Sequence, residues 1–329
     1  MNVRSRLSFA AALIPVLALT ACASSAPAAA PRASSDPEAA VTVDNCGTKV
    51  TFDAAPTRVV TIKSTSTEML LALGLGDTIV GTAFQDGPLP TSLADAGTGL
   101  VSLSDFVPSE EAVLGVEPDL VYGGWESNFA ADGAGERSEL EGLGIHTYVS
   151  PAACKEKGYQ PEKLSFEDIF DQITEVGRIF QVPDAAAAEV AREKKVLDGI
   201  TPANGDHSAL WYSSGDDTPY VGAGIGNPEL ILDTVGLVNI ASDINDTWSS
   251  LGWESIVADD PDVIVLVDAT WNTAQAKIDK LRENPVTANL SAVKNSRFLI
   301  VPFAAGEAGV RSADAAADLA SQLADLKLD

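Results

Sequence analysis

Histidine is almost missing from this chain. Its 329 residues hold only His146 and His207, so a three-histidine metal site cannot be built. One opens an expected strand and the other lies beside one, which suits a surface or structural role better than that of a general base. There is no Gly-x-Ser-x-Gly elbow, no His-Glu-x-x-His pair, no Walker loop and no Cys-x-x-Cys. Carboxylates are plentiful, yet no pair sits in an apolar setting that would raise a pKa. Neither an enzyme nor a cofactor is expected. Positive charge is scarce as well: 21 Lys and Arg stand against 47 Asp and Glu, a formal net charge of −26. Such a surface repels nucleic acid and anionic lipid headgroups, and it keeps an extracytoplasmic protein soluble. Aromatic residues make up only 6% of the chain.

What is present begins at the N-terminus. Arg4 and Arg6 form a basic region, and Leu7 to Leu19 is mostly apolar but too short to span a bilayer comfortably. It ends in Leu19-Thr20-Ala21-Cys22, which resembles a bacterial lipobox in which the cysteine receives the lipid. An ordinary secretory cleavage site is the plainer alternative. Residues 1–21 thus read as a signal peptide, and their removal leaves a net charge of −28. Residues 22–40 are rich in Ala, Ser and Pro and read as a flexible, lipidated tether. Apart from Cys22 the chain holds Cys46 and Cys154. Outside the cell such a pair usually bonds, with two inert buried thiols as the alternative.

The centre of the chain is helical. Phe166, Ile169, Phe170, Ile173, Val176 and Phe180 recur at helical spacing, and Pro183 opens a second helix running to Ile200. The sequences on either side look alike. Glu111 to Tyr122 and Glu254 to Val265 each read as a short helix, a Pro-Asp turn and a buried strand, with Pro118-Asp119 matching Pro261-Asp262. Pro-Asp is also a common punctuation before strands. The inferred class is α/β: two lobes of β/α repeats with central sheets, residues 41–165 and 201–329, joined by a connector at 166–200 whose strut, 183–200, is one long rigid helix.

Loops at strand ends carry the candidate ligand groups. Arg58 to Ile62 is an expected strand, followed by Lys63-Ser64-Thr65-Ser66-Thr67 and a helix from Glu68. A strand, a hydroxyl-rich loop and a helix start make an anion site, with Lys63 adding charge; N-capping by Ser66 or Thr67 is the plainer reading. Gly123-Gly124 leads into Trp125 after another expected strand. Trp125, Trp248 and Trp271 are the candidates for a flat, π-stacking wall, whereas Trp211 and Trp253 are assigned mostly to the core.

Taken in order, the lipobox, Pro56 to Glu68, the two Pro-Asp strands and the helical strut resemble the helical-backbone substrate-binding proteins of ABC importers. That group handles ferric siderophores, haem and cobalamin. The resemblance implies a cleft between the lobes that takes a small-molecule ligand, little hinge closure and a monomer held at the membrane by its lipid. It also implies docking on a transmembrane permease with its ATPase through one surface glutamate per lobe, here Glu68 and Glu254. The segments at 82–90, 124–129, 151–154, 210–215, 218–224 and 307–311 are similar to an actinobacterial subgroup assigned to a deazaflavin coenzyme precursor in its phospholactate form. These segments bring Phe84, Tyr212, Tyr220 and Arg311 into the expected ligand set. The ring would stack on Trp125 or Trp248, and the phosphodiester and carboxylate would meet Lys63 and Arg311. A salt bridge from Arg311 to Glu307 or Asp314 is the alternative use of that arginine.

Overall fold

The computed structural model describes residues 40–326 and residue 328. The expected signal peptide, the lipidation position Cys22 and nearly all of the tether lie outside the described residues. Among the described residues no helix is long and apolar enough to cross a membrane.

Alternation of buried and exposed residues makes the entry segment a hairpin. Strands β1 (Val41–Asn45) and β2 (Thr48–Phe52) pair antiparallel around the two-residue turn Cys46-Gly47. Both turn residues have positive φ, the geometry that matches the twist of a tight hairpin. Val43, Val50 and Phe52 face inward.

The first lobe follows the α/β reading. Its elements are β3 (Val59–Ile62), α1 (Ser64–Ala72), β4 (Ile79–Ala83), β5 (Ser102–Ser104), α2 (Glu110–Leu114), β6 (Leu120–Gly123), α3 (Arg137–Gly142) and β7 (His146–Val149). The five strands are all parallel, in the order β5-β4-β3-β6-β7. β3 and β6 are buried along their whole length, which is why they read as continuous apolar runs. The chain builds outward from β3 in one direction and then starts again at β6 in the other. Beyond the carboxyl ends of β3 and β6 such a reversal leaves a crevice.

The connector is a pair of helices. α4 (Phe166–Ile179) starts at a capping box in which Ser165 and Asp168 bond each other's backbone N–H groups. Its inner face buries Ile169, Phe170, Ile173, Val176 and Ile179, each contributing about 1.5–3 kcal/mol of transfer free energy. The chain reverses at Gln181, and Pro183 begins α5 (Pro183–Asp198), roughly 24 Å long. The two helices approach so closely at Gly177 that a Cβ there would lie 2.4 Å from the Ala186 Cβ.

The second lobe holds β8 (Ser208–Ser214), β9 (Tyr220–Gly222), α6 (Asn227–Val235), β10 (Val238–Asn239), β11 (Trp248–Ser250), α7 (Trp253–Asp259), β12 (Val263–Asp268), α8 (Ala274–Glu283), α9 (Ser291–Lys294), β13 (Phe298–Pro302) and α10 (Ser312–Asp325). β8, β12 and β13 run parallel, while β9 pairs antiparallel with β8 and β11 pairs antiparallel with β9 at the sheet edge. The sequence reads β9 and β11 as loop. β9 folds back on β8 as a hairpin, with Tyr220 facing Ser214, and β11 then pairs with β9 from further along the chain; strands of three residues show too little alternation to be read locally. The molecule is thus two α/β lobes with a long connecting helix.

The repeated Pro-Asp turn has a structural task in both lobes. The Asp119 carboxylate accepts from the N–H groups of Thr57 and Arg58 and from the Thr57 hydroxyl, fixing the entry to β3. Asp262 accepts from the N–H and hydroxyl of Ser208 at the entry to β8. In each lobe an edge carboxylate satisfies the orphan donors at the start of the neighbouring central strand. Cys46 and Cys154 are bonded, with their Cα atoms 5.3 Å apart, joining the entry hairpin to the loop after β7.

Candidate functional site

A cleft of about 980 Å3 lies where loops of both lobes meet. Its first wall comes from the carboxyl ends of β3, β4 and β6, the crevice position set by the strand order. Its second wall comes from the ends of β8 and β12, from β11 and from the turn after β13.

At its floor stands Lys63. Its side chain is fully buried, and its ammonium ion is paired with Asp86. The same ion lies 3.8 Å from the ring centre of Trp125, 4.2 Å from Phe84 and 5.2 Å from Phe303. Charge and quadrupole together hold it there. This packing demands unusual backbone. Lys63 has φ 80° and Phe84 φ 50°, both in the region that side chains avoid. Gly124 lies against them, and a Cβ at Gly124 would come within 2.6 Å of both the Lys63 Cβ and the Thr65 Oγ1.

The anion site expected after β3 exists and is already filled from within the chain. The Asp86 carboxylate accepts from the Ser64 N–H at the start of α1, and the Asp86 N–H donates to the Ser64 hydroxyl. Ser64 is therefore not available to a ligand, and Lys63 is not a free cation. Helix α1 also begins at Ser64 rather than Glu68. Ser66 and Thr67 thus lie inside it, their hydroxyls bonding back to the carbonyls of Ile62 and Lys63 rather than capping its start.

The structure brings most of the aromatic candidates together. Thr65, Phe84, Trp125, Tyr220, Trp248 and Trp271 all line the cleft. Phe84 meets Trp125 edge to face at 5.6 Å, and the Trp125 indole N–H donates to Glu307 at 3.1 Å. Opposite them Tyr220 and Trp248 stack at 5.9 Å, tilted by only 13°. Trp271, 65% exposed, stands beside Phe303. Trp211 is fully buried, as its place in a strand suggests.

Three expectations are overturned. Tyr212 is buried away from the cleft, donating its hydroxyl to the Gly215 carbonyl and packing on Trp253. Its side chain packs in the core with Leu210, Ile264 and Leu266. Arg311 does not face a ligand, nor does it pair with Glu307 or Asp314. Its guanidinium makes two 2.6 Å bonds to Glu68 and one to the Pro88 carbonyl. Glu68 is in turn only 2% exposed and so is not a surface glutamate. Burial raises its carboxyl pKa, and Arg311 opposes that rise. Glu254 does stand exposed, in the first turn of α7.

The sequence reading missed Asp86, Phe106, Phe303 and Glu307, together with the polar rim of Glu126, Lys155 and Asp246. Asp86 and Glu307 lie inside segments that carry the subgroup resemblance, and that is the only signal for them. Burial pushes the Glu307 carboxyl up, while Lys63 and the Trp125 N–H hold it down. Lys155 reaches Asp246 at 3.4 Å and Thr247 at 3.2 Å across the cleft. No side chain in this set makes a nucleophile–base pair. The arrangement can hold a ring and offer it hydrogen-bond acceptors.

Known proteins place this geometry. The chain is 28% identical over 277 residues to a cobalamin-binding protein of Halobacterium salinarum, covering 78% of this chain and 68% of that one. A periplasmic binding protein from Veillonella parvula superposes with a TM-score of 0.77 at 28% identity, covering 88% of this chain and 99% of the other. The ABC-type Fe3+-hydroxamate transport protein of Saccharomonospora viridis gives 0.73 at 27%, covering 86% and 98%. The sequence profile of the periplasmic binding protein family matches residues 59–305. The chain belongs to that family, and it is a binding protein rather than an enzyme.

Proposed function

We propose that this protein is the extracytoplasmic receptor of an ABC importer, tethered through a lipid on Cys22 and acting as a monomer. It captures an organic ligand with a flat conjugated ring and hands it to a permease driven by its ATPase. The observation behind this reading is the convergence of Trp125 and Phe84 from one lobe with Tyr220, Trp248 and Trp271 from the other around one cleft. Aromatic faces from two rigid walls suit a plate-shaped ligand. Sequence resemblance favours a deazaflavin precursor, whose tricyclic ring has the right shape for these walls. A corrinoid is the second reading, supported by the similarity to a cobalamin-binding protein. Ferric siderophores and haem remain ligands of the same architecture.

Docking on the permease is assigned to Glu254 in the second lobe. In the first lobe it moves from the buried Glu68 to Glu111. Glu111 is exposed in the first turn of α2 and stands seven residues before Pro118, as Glu254 stands seven before Pro261.

The test is titration of the purified protein with deazaflavins, corrinoids, haem and ferric siderophores while following tryptophan fluorescence. Quenching by a ring ligand that is lost in Trp125→Ala supports the reading. Tight binding of a ferric hydroxamate alone, indifferent to Trp125, overturns the ring assignment.

A further inference from the structure

The cleft is lined by five carboxylates, those of Asp86, Asp105, Glu126, Asp246 and Glu307, and by only two cations, Lys63 and Lys155. Both cations already stand beside carboxylates of the chain. Lys63 is enclosed by Asp86 and three aromatic rings. Lys155 reaches across to Asp246, and its backbone N–H is bonded to Glu126. Arg311, expected from the sequence to meet the ligand, is committed to Glu68.

The helix starts offer no refuge for an anion either. The N-terminus of α1 is occupied by Asp86. The N-terminus of α6 also borders the cleft at Gly226 and Asn227. Its next residues are Pro228, which has no N–H, and Glu229, a buried carboxylate bonded to Lys163. Each lysine and each α-helix start that borders the cleft thus stands against an acid of the chain.

From this geometry we propose that the cleft selects by charge: its ligand is a ring compound with no net charge or a positive one, whose donor or cationic groups face Glu307, Asp246 and Glu126. The proposal rests on the ring-binding reading of the cleft and narrows it. The aromatic walls attract a cation by their ring faces, and the surplus of carboxylates attracts it by simple charge. A ligand of net negative charge must bring that charge toward a surface where carboxylates outnumber cations, with only neutral hydroxyl and amide donors to receive it. The phospholactate tail of the deazaflavin precursor is anionic, so this charge rule moves the corrinoid reading ahead of the deazaflavin precursor.

The experiment is a charge series on two fixed scaffolds, read by tryptophan quenching and calorimetry on the whole chain. The first scaffold is 5-deazariboflavin, its phosphate ester and an aminoalkyl analogue. The second is cobalamin, as cyanocobalamin with no net charge, aquacobalamin with one positive charge and a monocarboxylic acid derivative of cyanocobalamin with one negative charge, and haem is added as a flat anionic macrocycle. Within the scaffold that binds, the Kd is expected to rise at least about tenfold from the positive or neutral member to the anionic one. In Glu307→Gln/Asp246→Asn, once circular dichroism shows a native fold, that ratio falls to less than about threefold. Tighter binding of the phosphate ester, or of the cobalamin acid or haem over the other two cobalamins, overturns the charge rule and leaves the ring-binding receptor standing. An unchanged ratio in the double variant overturns the assignment to these carboxylates. Silence from every member of both series sinks the ring-binding reading itself, and the charge rule with it.

Discussion

Arg311 offers the sharpest test of the site as it stands. Its guanidinium grips Glu68 with two 2.6 Å bonds, and the side chains are 12% and 2% exposed. The partners are 243 residues apart and belong to different lobes. Each charge-assisted bond is worth about 1.5–3 kcal/mol, offset by the cost of taking both ions out of water. Removing one partner leaves the other buried and unmatched. Arg311→Ala is therefore expected to lose about 3–5 kcal/mol of stability, with the midpoint of urea unfolding falling accordingly. The loss has a definite pH dependence. Burial already raises the Glu68 carboxyl, and without Arg311 it rises further. A carboxyl raised above its unfolded value takes up a proton on folding. The variant thus comes closest to the parent at acidic pH, and its deficit grows as pH climbs through the folded pKa. Glu68→Met/Arg311→Met, which removes both charges together, should recover most of the loss. Urea titrations of these three proteins at pH 5 and pH 8 measure the loss, its pH dependence and its recovery. An Arg311→Ala protein that unfolds like the parent yet loses its ligand would show that Arg311 serves the ligand, and the pairing argument would be wrong.

Further outcomes follow from other sites. Glu193 on α5 is fully buried, neither carboxylate oxygen has a hydrogen-bond partner, and burial pushes its pKa up to about 8. Stability relative to Glu193→Gln should be highest below the ordinary carboxyl pKa and decline toward pH 8, by at most about 4 kcal/mol; parallel pH profiles of urea midpoints would refute this. Replacing Cys46 and Cys154 by serine opens a loop of 108-residue separation and should cost about 4–5 kcal/mol, read as a lower Tm. Charge reversal at Glu111 and Glu254 together should abolish uptake in whole cells while ligand binding by the purified variant stays intact. Uptake that persists would remove both residues from docking.

Much of the architecture is legible in the sequence because it rests on local physics. β6, β7 and β12 emerge within a residue or so of their apolar runs. α4 follows from apolar spacing, and α5 from Pro183 at its first position. Trp125, Trp248 and Trp271 could be placed on the cleft because residues at strand ends in an α/β lobe point toward the inter-lobe space. The short strands β9 and β11 escaped, since three residues show no clear alternation, and β11 in addition exists only through pairing with β9 well back along the chain.

What the sequence by itself determined is therefore the alternation of strands and helices, the paired lobes with their strut, and the aromatic character of the cleft. The tertiary structure alone decided who neutralises whom. Lys63, Ser64, Glu68 and Arg311 are residue types that suit anion binding or docking, and nothing within a few residues of any of them announces Asp86 or the opposite lobe. A charge is available only when no partner reaches it, and partners here arrive across 22 to 243 residues of chain. Periodicity and caps report on neighbours a turn away, whereas the sign of a binding site depends on every charge the fold gathers within a Debye length.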